Sequence, residues 1–343
     1  MAPDRFELLT DLLRRVSRSF NITLKILPRS VRAQIGLAYL LARATDTVAD
    51  TELVAVEKRL EALNRLRDRI LGKSDEPLDF GSITQEQGDE SERELLSRTE
   101  EAVDLLSACS EPDRILIRQV LSTITSGQEL DLRRFSAART GEPDGAGGLV
   151  ALKNDAELDD YTYRVAGCVG EFWTKICRAH VFPRAGIDEE TFLKNGVRFG
   201  KGLQLINILR DLSGDLSQGR CYLPADRLAK AGLEPEQLRD SANESTLRPL
   251  YDEYLDRAEA HLSAGWSYTL TMPWAAARMR IACAIPIQIG ARTIAKLRGA
   301  AILETGQKTK ISRREVKLVC LQSVLLYPLP FFWSRLYTRK SNS

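Results

Sequence analysis

The sequence YLLARATDTVAD, residues 39–50, decides the fold. An apolar helical repeat runs into two aspartates, Asp46 and Asp50, which are four residues apart. Residues at this spacing leave the same face of an α-helix, with their stems about 6 Å apart. Like charges held this close repel each other unless a cation lies between them. Because apolar residues flank the pair, we expect a helix whose two carboxylates line a cavity and face a bound cation.

A second stretch, QLINILRDLSGD at residues 204–215, repeats the pattern with Asp211 and Asp215. Two such helices facing each other would place four carboxylates around one pocket. Mg²⁺ prefers hard oxygen ligands and usually keeps water or substrate phosphates in its other positions. An arginine adjoins each pair, Arg43 and Arg210, suited to binding phosphate oxygens or to orienting the carboxylates. The two stretches therefore predict a site for Mg²⁺ and a diphosphate.

The rest of the chain has the same helical character. Stretches rich in Leu, Ala, Glu and Arg fill most of its length, whereas alternating β-branched runs are scarce. We predict an all-α, single-domain helical bundle around a central cavity, formed by residues 1–315. Residues 72–94 and 140–148 are polar and contain Gly and Pro, so we predict that both are loops and candidate lids.

The overall composition excludes several classes of protein. The 343 residues include 49 Lys and Arg against 47 Asp and Glu, a net charge of +2, which removes the general electrostatic case for a nucleic-acid partner. The 2 histidines argue against a zinc site built on imidazoles. The 6 cysteines contain no C-x-x-C pair and indicate buried thiols in a reducing compartment. The N-terminus lacks the apolar core of a signal peptide, so we expect a cytoplasmic protein.

The C-terminal tail, residues 316–343, has a different character. Its segment LVCLQSVLLYPLPFFW, residues 318–333, carries no formal charge and is followed by Arg335, Arg339 and Lys340. The segment is short for the ~30 Å hydrocarbon core of a bilayer, and two prolines break its helix. We expect this hydrophobic tail to associate with a membrane surface, which makes the protein peripheral on the cytosolic face. The pattern equally allows a terminal helix that docks on the core.

Polar and aromatic residues near the carboxylate pairs are candidates for binding substrate. The segment Ser17, Arg18, Ser19 and Phe20 precedes a turn and either holds a diphosphate or simply ends a helix. Tyr39 lies two helical turns before Asp46, where an aromatic face could stabilise a carbocation.

Two tyrosines and two glycines share another apolar segment. Tyr161 and Tyr163 precede Gly167 and Gly170. The small glycines allow either a substrate tail or another helix to approach closely.

With these residues in view, the sequence resembles the squalene synthases of the squalene/phytoene synthase family, which are head-to-head trans-isoprenyl diphosphate synthases. The resemblance runs from residue 17 to about 317. It rests on SRSF at 17–20, Y-x-x-x-R-x-x-D-x-x-x-D at 39–50, D-Y-x-x-x-V-A-G-x-V-G at 160–170, and Q-x-x-N-I-x-R-D-x-x-x-D at 204–215. C-A-I-P at 283–286 and the basic stretch near residue 310 are similar to squalene synthases in particular. Arg164 departs from the pattern, since relatives often carry an aromatic or aliphatic residue there.

The resemblance implies an isoprenoid-synthase fold and a prenyltransferase reaction. Two molecules of farnesyl diphosphate would condense to presqualene diphosphate, with Mg²⁺ on the four aspartates and Tyr161 as the base or proton relay. Reduction by NADPH would then give squalene, a precursor in sterol or hopanoid biosynthesis. The resemblance also implies that Gln204 and Asn207 contact substrate, and that Lys308, Lys310 and Arg313 hold NADPH.

Other functions stay open at this point. A presqualene diphosphate, dehydrosqualene or phytoene synthase would share the first half-reaction and lack the reductive step. A catalytically silent helical scaffold on a membrane is a more distant alternative, disfavoured because a scaffold has no use for four inward carboxylates.

Overall fold

The computed structural model describes residues 10–17, 20–51, 53–139, 148–304 and 309–337. Nearly all regular structure in these ranges is helical, which confirms the all-α prediction. The helices are α1 (Thr10–Val16), α2 (Phe20–Ile26), α3 (Arg29–Asp50), α4 (Val56–Leu71), α5 (Ser82–Glu86), α6 (Glu90–Ser97), α7 (Thr99–Ser107), α8 (Glu111–Arg139), α9 (Asp155–Thr162), α10 (Cys168–His180), α11 (Glu189–Arg210), α12 (Leu212–Ser217), α13 (Ala225–Lys230), α14 (Glu244–Thr271), α15 (Ala277–Leu297), α16 (Arg313–Leu325) and α17 (Pro330–Trp333). A π-helical turn covers Tyr163–Gly167, and short 3₁₀ turns cover Pro235–Arg239 and Ser241–Asn243. Two-residue strands, β1 (Val150–Ala151) and β2 (Arg220–Cys221), pair in parallel.

The chain forms two compact units. The first comprises Met1–Arg133 and Phe172–Arg184, and the second comprises Arg134–Glu171 and Ala185–Ser343. Each unit is therefore built from two separate stretches of sequence. The boundary expected at residue 315 stays a prediction.

Helix α3 is the central element of the first unit. Pro28 precedes it, where the fixed φ of proline favours a helix start. Its apolar residues recur at helical spacing, and Val31, Ile35 and Leu41 are buried. It packs against α1, α4, α6 and α7. These contacts fix the face that carries Asp46.

The second stretch of the first unit is tied to the first by a hydrogen bond between a histidine and an aspartate. His180, on α10, lies 2.6 Å from Asp113 of α8 through its Nε2 atom. Gln34 of α3 donates a further hydrogen bond to the same carboxylate at 3.2 Å. These hydrogen bonds hold the pKa of Asp113 below its usual value although burial alone would raise it.

The prediction that residues 72–94 form one loop is wrong in part. Helix α5 lies inside this segment and α6 begins in it. Asp89 caps α6, because its side chain accepts hydrogen bonds from the N–H groups of Ser91 and Glu92 at 2.8 and 3.3 Å. Polar composition concealed a capped helix start. The other predicted loop, 140–148, lies outside the described residues except for Gly148.

Helices α11, α14 and α15 form the centre of the second unit. Its tightest contact joins α11 to the segment that contains the π-helical turn. A Cβ atom at Gly200 would lie 2.1 Å from the carbonyl oxygen of Ala166, and one at Gly170 would lie 2.0 Å from that of Gly196. For Gly170, the space left by the missing side chain is therefore filled by another helix rather than by a substrate tail.

The C-terminal helices α16 and α17 pack on the second unit through one side only. Trp333 is fully buried, stacks on Trp266 with ring centroids 5.2 Å apart, and donates its indole N–H to the Ser323 carbonyl at 3.0 Å. The buried guanidinium of Arg280 lies 4.6 Å from the ring of Trp274 and 4.9 Å from that of Trp333. The sequence left open whether the tail docks on the core, and this side of the tail does so. Within the described residues, no helix combines the length and the apolar character that a membrane crossing requires.

Candidate active site

In the first unit, Asp46 and Asp50 lie one turn apart at the end of α3, as predicted. Desolvation, together with the negative charge of Asp50, raises the pKa of Asp46 to about 7, against the opposing effect of Arg43. The Asp46 side chain nevertheless keeps 42% of its surface accessible, so a cation can reach it and the charge of Asp50 is an important part of the shift. A divalent cation would relieve this repulsion, so the oxygen donors present here fit Mg²⁺.

Arg43 joins the aspartate pair to a neighbouring helix. Its guanidinium donates to Asp46 and to Glu92 of α6. Burial lowers the pKa of Arg43, but Asp46, Glu92 and Tyr39 stabilise its charge and the net shift is upward. Tyr39 therefore lies near the Arg43 guanidinium, as expected from its place one helical turn before Arg43. Glu92 is not among the residues predicted from the sequence, because it falls in the segment assigned to a loop.

Part of the predicted diphosphate-binding segment is described. Ser17 is 2% exposed, and its buried hydroxyl has no hydrogen-bond partner among the residues that the structure describes. Arg18, Ser19 and the side chain of Phe20 lie outside the described residues.

In the second unit, α11 ends at the second aspartate pair. Arg210 donates to both carboxylate oxygens of Asp211, with its Nε atom 3.1 Å from Oδ1. Asp211 lies between α11 and α12, and the N–H of Asp215 donates to the Asp211 carbonyl at 3.0 Å. One turn earlier, Asn207 donates to Gln204 at 3.4 Å. A short break at Asp211 thus separates the two aspartates that the sequence placed on one helix.

The ring of Tyr161 is held by aromatic contacts. It stacks on Tyr222 with centroids 4.7 Å apart, and Tyr222 meets Phe135 edge-on at 5.3 Å. Tyr222 follows β2 and is 6% exposed, so the tyrosine pair is anchored on a buried side chain. Tyr222 is a second residue that was not predicted, because no local sequence pattern links it to Tyr161.

An ion-pair network fixes the helix that carries Tyr161. Asp155, at the start of α9, accepts hydrogen bonds from Tyr254 at 2.9 Å and from Arg257 at 3.0 Å. Arg164, the departure noted in the sequence, pairs with Asp160 at 2.8 Å. Arg164 is therefore paired with a residue one helical turn before it.

The predicted nucleotide-binding residues are only partly described. Lys310 and Arg313 are exposed at the start of α16, and Lys308 lies outside the described residues. Ser312 caps this helix through a reciprocal hydrogen-bond pair with Glu315. That these cations bind a nucleotide stays a prediction.

The carboxylates expected to act together fall in different units. Asp46 and Asp50 belong to the first, and Asp211 and Asp215 to the second. Within the described ranges, no group of three or more His, Cys, Asp and Glu side chains is arranged as a metal site. Each unit thus contains one pair of aspartates, and an arginine donates a hydrogen bond to one aspartate of each pair. The assembly of the two pairs into one four-carboxylate site stays a prediction.

Comparison with known proteins decides the family. Residues 13–315 match the family described as squalene/phytoene synthase. The chain belongs to the squalene/phytoene synthase family. Among relatives in this family, the presqualene diphosphate synthase of Rhodopseudomonas palustris is 28% identical over 246 residues, 72% of each chain. The bifunctional lycopene cyclase/phytoene synthase of Phaeosphaeria nodorum is 26% identical over 249 residues, 72% of this chain and 38% of that protein. The chain spans about two fifths of the length of such fungal relatives.

Solved structures of this family share the fold. TcSQS in complex with the ligand BPH1237 superposes with a TM-score of 0.74 at 19% identity, covering 99% of this chain and 94% of that one. A ligand complex of a dehydrosqualene synthase gives 0.64 at 18% identity, with coverage of 93% and 95%. These likenesses confirm the isoprenoid-synthase fold that the sequence resemblance implied.

Proposed function

We propose that this protein is a squalene synthase. It would join two farnesyl diphosphates head to head through presqualene diphosphate and then reduce that intermediate with NADPH. The observation that carries the proposal is the Asp46–Asp50 pair, one helical turn apart at the end of α3 with Arg43 on Asp46, in a chain of this family. Two carboxylates kept this close favour a divalent cation, and the family uses Mg²⁺ with diphosphate substrates.

The residues that would hold Mg²⁺ are Asp46, Asp50, Asp211 and Asp215. When bound, the metal supplies a Lewis acid for the leaving diphosphate. Arg43 and Arg210 can donate charge-assisted hydrogen bonds to diphosphate oxygens, in place of those they now give to aspartates. Fixing the departing group in this way stabilises the charge that develops as its C–O bond breaks.

Tyr161 is the proposed proton acceptor or relay for closure of the cyclopropane ring. Its stacking on Tyr222 limits rotation of the ring and keeps the phenol oxygen at one position relative to the backbone of α9. Tyr39 is the proposed aromatic side chain that stabilises the first carbocation of the reaction. Carbocations are quenched by water, so apolar and aromatic walls also serve to exclude it.

The reductive step is proposed to use the basic stretch at the start of α16. Lys310 and Arg313 would bind phosphate oxygens of NADPH, with Lys308 completing the set. Presqualene diphosphate would first lose its diphosphate, and the resulting carbocation would rearrange. Hydride transfer from NADPH to the rearranged carbocation would then give squalene and NADP⁺.

A second candidate ends one step earlier, and the names of relatives favour it. The relative from Rhodopseudomonas palustris is named a presqualene diphosphate synthase, and the fungal relatives carry phytoene synthases. Such enzymes would use the same aspartate pairs and would not need Lys310 or Arg313 to bind NADPH.

Product analysis separates these functions. The full chain is incubated with farnesyl diphosphate and Mg²⁺, with and without NADPH, and products are identified by mass spectrometry. Squalene formed only with NADPH supports the proposal. Presqualene diphosphate or dehydrosqualene under both conditions supports the second candidate, phytoene from geranylgeranyl diphosphate supports a phytoene synthase, and absence of all turnover would favour a non-catalytic scaffold.

A further inference from the structure

The arginine beside the first aspartate pair has two carboxylate partners of unequal exposure. The guanidinium of Arg43 donates through its Nη1 atom to Asp46 and through its Nη2 atom to Glu92 of α6. The Asp46 side chain is 42% exposed, whereas Glu92 is only 12% exposed. A cation from solvent therefore reaches Asp46 more easily than Glu92. Because the two hydrogen bonds use separate nitrogen atoms, one can break while the other is kept.

Glu92 is held in place by the helix that carries it. Asp89 caps α6, and Glu92 is the third residue of the helix, where the backbone N–H groups of the first turn stabilise a negative charge. Glu94, two residues later, pairs with Arg15 of α1 at 2.5 Å. Helix α6 packs against both α1 and α3. These contacts keep the Glu92 carboxylate beside α3 even when Asp46 contacts another group.

Glu92 does not belong to a metal-binding set. Across the ranges that the structure describes, no three His, Cys, Asp or Glu side chains are arranged to hold one metal ion, and this applies to Asp46, Asp50 and Glu92. The charge of Glu92 is instead met by Arg43, which is itself only 23% exposed. Any effect of Glu92 on the site therefore passes through the arginine.

A metal ion on Asp46 would leave Arg43 with Glu92 alone. The Nη1 group would then be released and could donate to a diphosphate oxygen, while Nη2 stays on Glu92. The buried Nε atom of Arg43 offers no substitute anchor, since it has no hydrogen-bond partner in the described part of the chain. Without Glu92, the guanidinium would turn wholly to Asp46 and compete with the metal for that carboxylate.

We propose that Glu92 is a positioning residue, which anchors Arg43 while Asp46 passes from the arginine to the metal and directs the free edge of the guanidinium at the diphosphate. The inference rests on the proposed function, because it assumes a metal diphosphate at Asp46. Glu92 itself touches neither the metal nor the substrate.

Calorimetric binding of magnesium pyrophosphate to the full chain tests this role. Glu92→Gln keeps the size of the side chain and removes its charge, and it should weaken binding about tenfold, since Arg43 loses a charge-assisted hydrogen bond and turns to Asp46. Glu92→Asp should recover part of the loss. Glu90→Gln is the matched control, because Glu90 is an exposed carboxylate in the same turn of α6, and it should bind as the wild type does.

A double-mutant cycle shows whether Glu92 acts through Arg43. In an Arg43→Ala background, Glu92→Gln should weaken binding no further. Circular dichroism checks that each variant is folded, and Glu92→Asp takes the place of Glu92→Gln in the cycle if the latter does not fold. Three results would overturn the proposal: equal binding by the Glu92 and Glu90 variants, losses that add in the double variant, or no pyrophosphate binding by the wild type.

Product analysis with farnesyl diphosphate separates this inference from the proposed function. A wild type that makes no product but shows the coupling between Glu92 and Arg43 in pyrophosphate binding refutes the function and supports the role of Glu92. A wild type that makes squalene without such coupling supports the function and overturns the role of Glu92.

Discussion

Gly200→Ala tests how closely α11 approaches the segment that carries Tyr161. The added Cβ would lie 2.1 Å from the carbonyl oxygen of Ala166 and 3.1 Å from the Cα of Gly167. Both neighbours are backbone atoms, so no side chain can move aside. A carbon and an oxygen normally stay more than 3 Å apart, so the two segments must separate by about 1 Å along a packed interface.

The net effect combines two opposing terms. Alanine is favoured over glycine inside a helix by about 1 kcal/mol. Overpacking at a rigid contact typically costs 1–3 kcal/mol, and a backbone collision lies at the top of that range or above it, roughly 3 kcal/mol. We therefore expect Gly200→Ala to lower the free energy of unfolding by roughly 2 kcal/mol.

Urea unfolding followed by circular dichroism measures this difference, with Gly214→Ala as the control. Gly214 lies in α12 with nothing within 4 Å of its ideal Cβ position, so its replacement should leave stability unchanged or raise it. If Gly200→Ala is as stable as Gly214→Ala, the close approach of the two segments is wrong.

Three further predictions concern metal binding, pH and the C-terminal packing. Asp46→Asn and Asp215→Asn should each lower kcat by about 100-fold or more with an unchanged circular dichroism spectrum, since each removes an expected Mg²⁺ ligand; full activity would remove that residue from the site. Burial and nearby cations lower the pKa of His261 from 6.5 to about 4. Between these two pH values His261 is protonated in the unfolded chain and neutral in the folded protein. Stability should therefore fall by roughly 3 kcal/mol as the pH drops from about 6.5 to about 4, and His261→Gln should remove this part of the pH dependence in urea titrations. Trp333→Ala should cost about 3–5 kcal/mol and expose the tail to proteolysis, whereas an unchanged unfolding curve would show that the docked side contributes little.

Helical periodicity and local charge spacing predicted much of the fold and part of the site. The apolar repeat of α3 needed no information from elsewhere in the chain, because its period already specified a buried face. The same holds for Arg43 and Asp46, whose contact follows from a spacing of three residues on one helix. Such features are local, so sequence alone captures them.

The missed features depend on contacts between distant segments. Glu92 reaches Arg43 across 49 positions of sequence, and its own segment is too polar to indicate a buried role. Tyr222 stacks on Tyr161 only because the chain returns after α12, and no spacing rule connects the two residues. The two possible roles of the tail were not exclusive, since opposite sides of α16 are buried and exposed, and an apolar composition does not reveal which side is which.

The interrupted connectivity of the first unit has a consequence for its synthesis on the ribosome. Phe172–Arg184 belongs to that unit, and His180 contacts Asp113 across 67 positions. At about 5–20 residues per second, the nascent chain spends seconds making the intervening segment before the last helix of the unit emerges. During that interval the Asp113 carboxylate lacks its contact with His180, while Gln34 can already donate to it. The first unit therefore cannot finish folding when residue 133 has been made, and must wait until residue 184 has been added.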